Sequence, residues 1–281
     1  MKRLCLAILL TLVCIFCFAS CAEGKYNGEL IEIRFLDVGQ ADAILLRTPD
    51  GDVLIDAGSE DSQDTLCARL DQLGVKELLL AVFTHADEDH IGGADGILQA
   101  FPVREIWFNG SEGDNESAKP LFDCFQEGET EVRAICEGEI LRIGEVSITV
   151  LHPFHLISAV GNEGSIVLKV SCGEFDMLLT GDASSEQEML MLERYGSSQL
   201  DCEVYKVGHH GSNTSSSDAF LSAMSPQYAV ISCGAGNPYG HPAGEVLARL
   251  NNCGAAVLRT DLLGEIVFTT DGHSWSYENA D

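Results

Sequence analysis

The period of the hydrophobic positions changes along this chain, and each change marks an element. Ile31, Ile33 and Phe35 alternate with Glu32 and Arg34, which predicts a strand with one buried face. Residues 43–47 and 53–55 predict two more strands. Thr48-Pro49-Asp50-Gly51 joins them as a hairpin turn. The period then lengthens: Leu66, Leu70 and Leu73 recur at helical spacing, and Gly74 ends the helix. Leu78-Leu79-Leu80-Ala81-Val82-Phe83 is an unbroken apolar run, too short for a buried helix. It predicts a strand covered on both faces.

Beyond residue 93 the same reading gives a short helix carrying Ile97 and Phe101, a strand over 103–108 and a polar, glycine-rich loop over 109–119. Leu121, Phe122 and Phe125 predict a short helix. Strands follow around 132–136 and 146–151, with turns at Gly138 and Gly144. Residues 165–170 and 175–179 form a hairpin across Cys172-Gly173-Glu174. A helix covers 185–195 and a strand 204–207, and Ser217 caps a helix through 224. A strand over 228–232, a glycine-rich loop over 234–241, a helix over 242–251 and closing strands at Val257, 266–268 and 275–277 complete the chain. Strands clustered at both ends, with helix and strand alternating between them, predict the α/β class: a four-layer αββα sandwich with two sheets inside and helices outside. No break in composition follows residue 27, so residues 30–281 form a single domain.

The chain is organised around the end of the apolar run. Thr84-His85-Ala86-Asp87-Glu88-Asp89-His90-Ile91-Gly92-Gly93 places four potential metal ligands, His85, Asp87, Asp89 and His90, within six residues. Two imidazoles and two carboxylates crowded on a loop after a core strand repel and desolvate one another unless a cation sits among them. A divalent metal meets that need. The other histidines extend the pattern. His152 follows one predicted strand, His209 and His210 another, and His241 lies in the loop after a fourth, while Asp56 and Asp182 end two more. The carboxyl ends of strands are where α/β folds build their sites.

Charge and address narrow the partners. Lys2 and Arg3 precede an apolar stretch over 4–18, and Phe18-Ala19-Ser20-Cys21 closes it in the manner of a lipobox. Residues 1–20 therefore read as a signal peptide, Cys21 as a lipidation site and 21–29 as a tether. The protein is expected to be exported, either held at the outer face of the cytoplasmic membrane as a lipoprotein or secreted. The formal net charge of −28 becomes −30 once Lys2 and Arg3 leave with the leader. Such a chain repels polyanions at long range, so contact with nucleic acid needs a local positive patch or a metal. Seven cysteines remain after Cys21, an odd number with none at C-x-x-C spacing. This argues against a zinc ribbon or a complete disulfide framework.

The motifs taken together resemble the metallo-β-lactamase-fold hydrolases. They are most similar to the soluble hydrolase domain of competence DNA-uptake channel proteins (ComEC-like) and its free-standing relatives. The resemblance rests on Phe35-Leu36-Asp37-Val38-Gly39-Gln40-Ala41-Asp42, Leu54-Ile55-Asp56-Ala57-Gly58, the 84–93 loop and Asn162-Glu163-Gly164-Ser165. It continues through Leu178-Leu179-Thr180-Gly181-Asp182, Lys206-Val207-Gly208-His209-His210-Gly211-Ser212 and Asn237-Pro238-Tyr239-Gly240-His241-Pro242. Asp87 stands where the wider superfamily carries a histidine, a change shared by the competence-type branch. It hardens the donor set toward manganese.

The resemblance implies two divalent metal ions, Zn2+ or Mn2+. His85, Asp87 and His152 would hold one, although a turn cap before Pro153 explains His152 equally well. Asp89, His90 and His241 would hold the other. Asp182 would bridge, and Asp56 would orient a metal histidine from behind. His209 and His210 would touch substrate oxygen with Lys206 nearby, one of the two histidines being open to a plain structural role. Ser212 would bind phosphate or cap its loop.

The implied chemistry is hydrolysis by a hydroxide shared between the metals, with His209 or His210 stabilising the developing anion and Asp89 handling the proton. The expected substrate is a phosphodiester, DNA among the candidates. No obligate protein partner is evident. Three alternatives stay open: a cell-envelope phosphodiesterase of the phosphorylcholine esterase type, a β-lactamase or lactonase, and a non-catalytic metal-binding module. No Gly-x-Ser-x-Gly elbow or phosphate-loop motif is present, which weakens a serine hydrolase or NTPase reading.

Overall fold

Two sheets lie face to face, with helices on both outer surfaces. The computed structural model describes residues 30–111, 118–127, 130–156 and 161–280. The proposed leader, Cys21 and the tether lie outside the described residues, as does most of the polar loop after Asn109. Among the described residues no helix is long and apolar enough to cross a membrane.

The first half of the chain supplies β1 (Ile31–Phe35), β2 (Ile44–Thr48), β3 (Gly51–Ile55), α1 (Gln63–Gln72), β4 (Leu78–Phe83), α2 (Glu88–Ile91), α3 (Ala94–Ala100), β5 (Val103–Phe108), α4 (Ala118–Glu127) and β6 (Glu131–Ala134). The second half begins with β7 (Ile140–Ile143), β8 (Val146–His152), β9 (Val167–Cys172), β10 (Phe175–Leu179), α5 (Ser185–Tyr195) and α6 (Ser197–Leu200). It goes on through β11 (Val204–Lys206), α7 (Asp218–Met224), β12 (Tyr228–Ile231), α8 (Gly244–Cys253), β13 (Ala256–Arg259) and α9 (Thr260–Leu263). It closes with β14 (Glu265–Thr270) and β15 (Trp275–Ala280). The first sheet runs β15-β14-β1-β2-β3-β4-β5-β6 and the second β13-β12-β11-β10-β9-β8-β7.

Each sheet passes from antiparallel hairpins into a parallel run, β3 to β6 in one and β10 to β13 in the other. Parallel strands require crossovers, and those crossovers are the covering helices. The apolar run of β4 shows the result. Leu80 and Val82 face the space between the sheets, packed with Phe35, Ile148 and Phe268. Ala81 and Phe83 face α1 and α3 through Leu66, Leu70 and Ile97. A matching layer of Leu178, Tyr205, Phe220 and Leu250 lies under α5, α7 and α8. Cys172, Cys202 and Cys233 are buried as free thiols within these layers.

The fold departs from the sequence reading in two ways. Arg34 was expected on a solvated strand face, yet it is buried between Glu32 and Glu265, 2.7 and 2.6 Å away. Arg69 of α1 reaches Glu265 as well, at 2.7 Å, because the outer helix layer covers that face. In addition β7, α2, α6 and α9 have no counterpart in the hydrophobic pattern. Each is four residues long, shorter than the window over which a period can be read.

Candidate metal centre

The carboxyl ends of β3, β4, β8, β10 and β11 meet at one edge of the sandwich, and the loops they release are bonded to one another. Ala57 N donates to His90 O at 2.7 Å, Asp42 N to Asp89 O at 3.0 Å and Ile166 N to Thr84 O at 2.9 Å. His209 N donates to Gly181 O at 3.1 Å. Gly93 permits this closeness, since a Cβ there would lie 2.4 Å from Ala57 O. Gly211, at φ +82, is pressed on Pro242 in the same way, its Cβ falling 2.6 Å from the proline Cβ.

Three groups of potential ligands form among the described residues, the atoms of each lying within 4.8 Å of one another: His85, His90 and Asp182; Asp89, His90 and His210; and Asp42, Asp56 and His90. His90 Nε2 is 3.2 Å from Asp182 Oδ1, and His210 Nε2 is 3.2 Å from Asp89 Oδ2 and 3.8 Å from Asp182 Oδ1. Residues from both sheets therefore share one centre, with Asp182 between His90 and His210.

The ring orientations are fixed from behind. Asp56 Oδ2 lies 2.7 Å from His90 Nδ1, and the same carboxylate accepts from Thr84 N and Thr84 Oγ1, both at 2.8 Å. His210 Nδ1 donates to Ser232 O at 3.0 Å, and His152 Nδ1 donates to Ser165 O at 2.9 Å. A carbonyl only accepts, so in the neutral rings the proton sits on Nδ1 and the lone pair on Nε2. The Nε2 atoms of His85, His90 and His210, together with Asp182 Oδ1, are buried and have no hydrogen-bond partner. Buried lone pairs and a carboxylate oxygen aimed at one point are the donor set a divalent metal requires.

The electrostatics agree. Burial pushes the Asp182 carboxyl up, but the charges of His90 and His210 outweigh it and hold Asp182 well below the usual carboxylate range. Burial likewise pushes Asp89 up, and the facing His210 and the charge of His90 bring it down to about 2. Burial disfavours the charged form of His90, but Asp182 and Asp56 hold its pKa well above the ordinary value. His210 is raised as well: burial opposes its charge and Asp182 and Asp42 prevail. Without a metal, protons on these rings answer the carboxylates.

The remaining predicted residues fall outside the three groups. Asp87 reaches His85 Nε2 at 3.6 Å but stays substantially exposed. His241, assigned to the second ion from its motif, stands farther out, its ring 5.6 Å from that of His209. His210 Nε2 lies beside Asp89, and His241 Nδ1, buried and without a hydrogen-bond partner, remains a candidate donor on the outer side. His209 Nε2 lies 3.6 Å from Asp182 Oδ2 on the open side, and burial lowers its pKa. Both His209 and His210 sit in left-handed backbone, at φ 51. Such conformations cost non-glycine residues energy and persist where surrounding structure enforces them.

One assignment is corrected. Lys206, expected beside substrate, is buried, with Nζ 2.6 Å from Asp42 Oδ2. Ser212, open to phosphate binding or to capping its loop, is buried with its Oγ 3.0 Å from Thr214 Oγ1, which fits the cap. Asp42 is the site residue that the sequence reading missed. Its signal is a lone carboxylate inside the apolar stretch Ala41-Asp42-Ala43-Ile44-Leu45, which demands a buried partner.

Fold and centre together define a metal-dependent hydrolase class. A model of the metallo-β-lactamase superfamily matches residues 36–235, and the chain belongs to that superfamily. Within it, the chain is related to competence proteins. It is 32% identical to ComE operon protein 3 of Bacillus subtilis (strain 168) over 256 residues, 84% of this chain and 33% of that protein. It is 34% identical to Competence protein ComA of Neisseria gonorrhoeae over 233 residues, 83% of this chain and 31% of that one. The chain thus spans about a third of the length of the curated relatives it matches. Among solved structures, the metallo-beta-lactamase fold protein YhfI from Bacillus subtilis shares the fold, with a TM-score of 0.55 at 13% identity. That match covers 85% of this chain and 100% of the other.

Proposed function

We propose that this chain is an exported phosphodiesterase that works with two divalent ions, manganese or zinc, and that DNA is among its substrates. The observation that carries the reading is the convergence of partnerless Nε2 atoms from His85, His90 and His210 on Asp182. The competence relatives support the substrate class. When bound, a metal pair in such a site supplies Lewis acidity and a water that ionises near neutral pH.

The chain's own residues do the rest. His85, His90, His210, Asp89 and Asp182 hold the ions, with Asp87 and His152 completing the first. Asp56 and the Ser232 carbonyl keep the His90 and His210 lone pairs aimed inward. His209, neutral because burial lowers its pKa, faces the opening and hydrogen-bonds a phosphoryl oxygen. Asp89, beside His210 and partly open, accepts a hydrogen bond from the attacking water and orients it. The lipid anchor at Cys21 would hold the domain at the outer membrane face.

A second reading has its own observation. The groove at the mouth, about 720 Å³, is lined by Asp37, Asp61, Asp87 and Glu88 and by the exposed ring of Tyr239. Carboxylates beside an aromatic face favour a phosphodiester that carries a cationic group, as in a cell-envelope phosphodiesterase of the phosphorylcholine type. The test offers the manganese- or zinc-loaded protein bis-p-nitrophenyl phosphate, plasmid DNA, p-nitrophenyl phosphorylcholine and nitrocefin. Phosphodiester turnover that disappears in Asp182→Ala supports the proposal. Preference for the choline ester selects the second reading, and nitrocefin turnover alone would sink both.

A further inference from the structure

The third group of ligand atoms lies behind the centre, where Asp42, Asp56 and His90 are all buried. Asp56 is met there by Thr84 and His90, so the buried charge that still calls for a cation is that of Asp42. A cation is already there. Lys206 enters from β11 on the second sheet and sets Nζ 2.6 Å from Asp42 Oδ2, both side chains 1% exposed. Its other donors meet Val207 O at 3.1 Å and Gly181 O at 3.5 Å.

Asp42 lies between the two central histidines, with Oδ2 3.9 Å from His90 Nδ1 and Oδ1 3.7 Å from His210 Nδ1. Those nitrogens are already engaged by Asp56 and the Ser232 carbonyl, at 2.7 and 3.0 Å. Asp42 therefore has no ring left to orient, and its charge is answered by Lys206.

We propose that Lys206 is the resident cation of this third cluster: its ammonium stands where a metal ion would otherwise bind and confines metal loading to the groups facing the opening. This rests on the metal reading above but goes beyond it, because it makes Lys206 and Asp42 positioning residues that set how many ions bind and where. The pair must be balanced. If Asp42 is neutralised, the ammonium is left to the other carboxylates whose charge reaches it, Asp182 and Asp56, and competes with metal for Asp182. If Lys206 is neutralised, Asp42 is left as a buried carboxylate with no countercharge and is free to draw an ion in beside the Asp56–His90 pair.

The test measures Mn2+ and Zn2+ stoichiometry and affinity by equilibrium dialysis with elemental analysis, for wild type, Lys206→Met, Asp42→Asn and the double variant. Lys206→Met is expected to bind one more equivalent than wild type. Asp42→Asn is expected to bind at least about tenfold more weakly, and the double variant, with neither charge, to return to within about threefold of wild type. Affinity is read per folded protein, with thermal stability measured alongside; a pair that served only to hold the fold together would leave affinity and stoichiometry per folded protein the same in all four proteins, and that result would overturn the proposal. So would a folded Lys206→Met with unchanged stoichiometry. If Lys206→Met does not fold, the comparison of Asp42→Asn with the double variant decides. A wild type that retains no metal would instead remove the functional reading, and this inference with it.

Discussion

The two sheets deliver their share of the centre in contrasting ways. The first supplies His85, Asp87, Asp89 and His90 from one loop after β4. The second supplies His152, Asp182 and His210 from three separate strand ends, 58 positions from first to last. Corresponding positions also do different work. Asp56 follows β3 and Asp182 follows β10, each the strand next to the one that releases a histidine loop. Asp56 faces His90 Nδ1 with every neighbour satisfied, whereas Asp182 faces His90 Nε2 with Oδ1 unpartnered. The same strand-end carboxylate becomes a brace on one side of a ring and a candidate ligand on the other, and the difference is whether a donor fills the space in front of it.

The largest expected effect separates those two carboxylates. Asp182→Ala is expected to abolish retention of metal and to lower phosphodiester turnover by well over the 10- to 100-fold that loss of an orienting partner costs. Asp56→Asn keeps the size and tolerates the left-handed backbone at φ 58. It is expected to fall within that 10- to 100-fold range in metal affinity. Dialysis against graded free metal measures both, and equal losses would erase the distinction.

Next is the effect of pH. His90 and His210 have pKa values raised by the carboxylates around them, so below those values a proton occupies each ring and must leave when metal binds. Apparent affinity is expected to rise with pH through and beyond the ordinary histidine range, by up to about tenfold per unit for each proton displaced. Calorimetry in buffers of different ionisation enthalpy counts those protons. Stability of the metal-free protein moves the other way. A histidine whose folded pKa is raised stabilises fully below its unfolded pKa, and that contribution is lost as pH climbs through the folded value. The melting temperature of the metal-free protein is therefore expected to fall with rising pH, while the loaded protein resists the change.

A smaller effect tests the loop that carries His209 and His210. The buried carboxylate of Glu188 accepts from Ser216 N and Ser217 N, at 2.5 and 2.8 Å, just after that loop. Glu188→Gln turns one acceptor into a donor facing a backbone N–H and is expected to cost about 1–3 kcal/mol, read by denaturant titration. Smallest of all, Tyr239→Ala at the mouth is expected to leave metal affinity unchanged and to alter KM alone.

The contrast between the sheets also explains what the sequence could disclose. The first sheet's candidate ligands are contiguous, so local spacing after an apolar strand was enough to single them out. The paired sheets with outer helices were legible too, because each layer imposes its own period. The second sheet's contribution was only partly legible. Three of its loops carry histidines, and the position of His210 beside Asp89 depends on a left-handed turn at residues 209–210 that spacing does not encode. Lys206 misled for a related reason. A lysine beside a histidine motif suggests substrate contact, and its burial follows only when Asp42, 164 positions earlier, folds against it.

The central claim is that ligands from both sheets share one pair of ions through Asp182. Electron paramagnetic resonance of the manganese-loaded protein tests it most directly. The account predicts the spectrum of a spin-coupled manganese pair at two equivalents, lost in Asp182→Ala. Only the six-line signal of isolated ions, or no bound manganese under any loading condition, would contradict it.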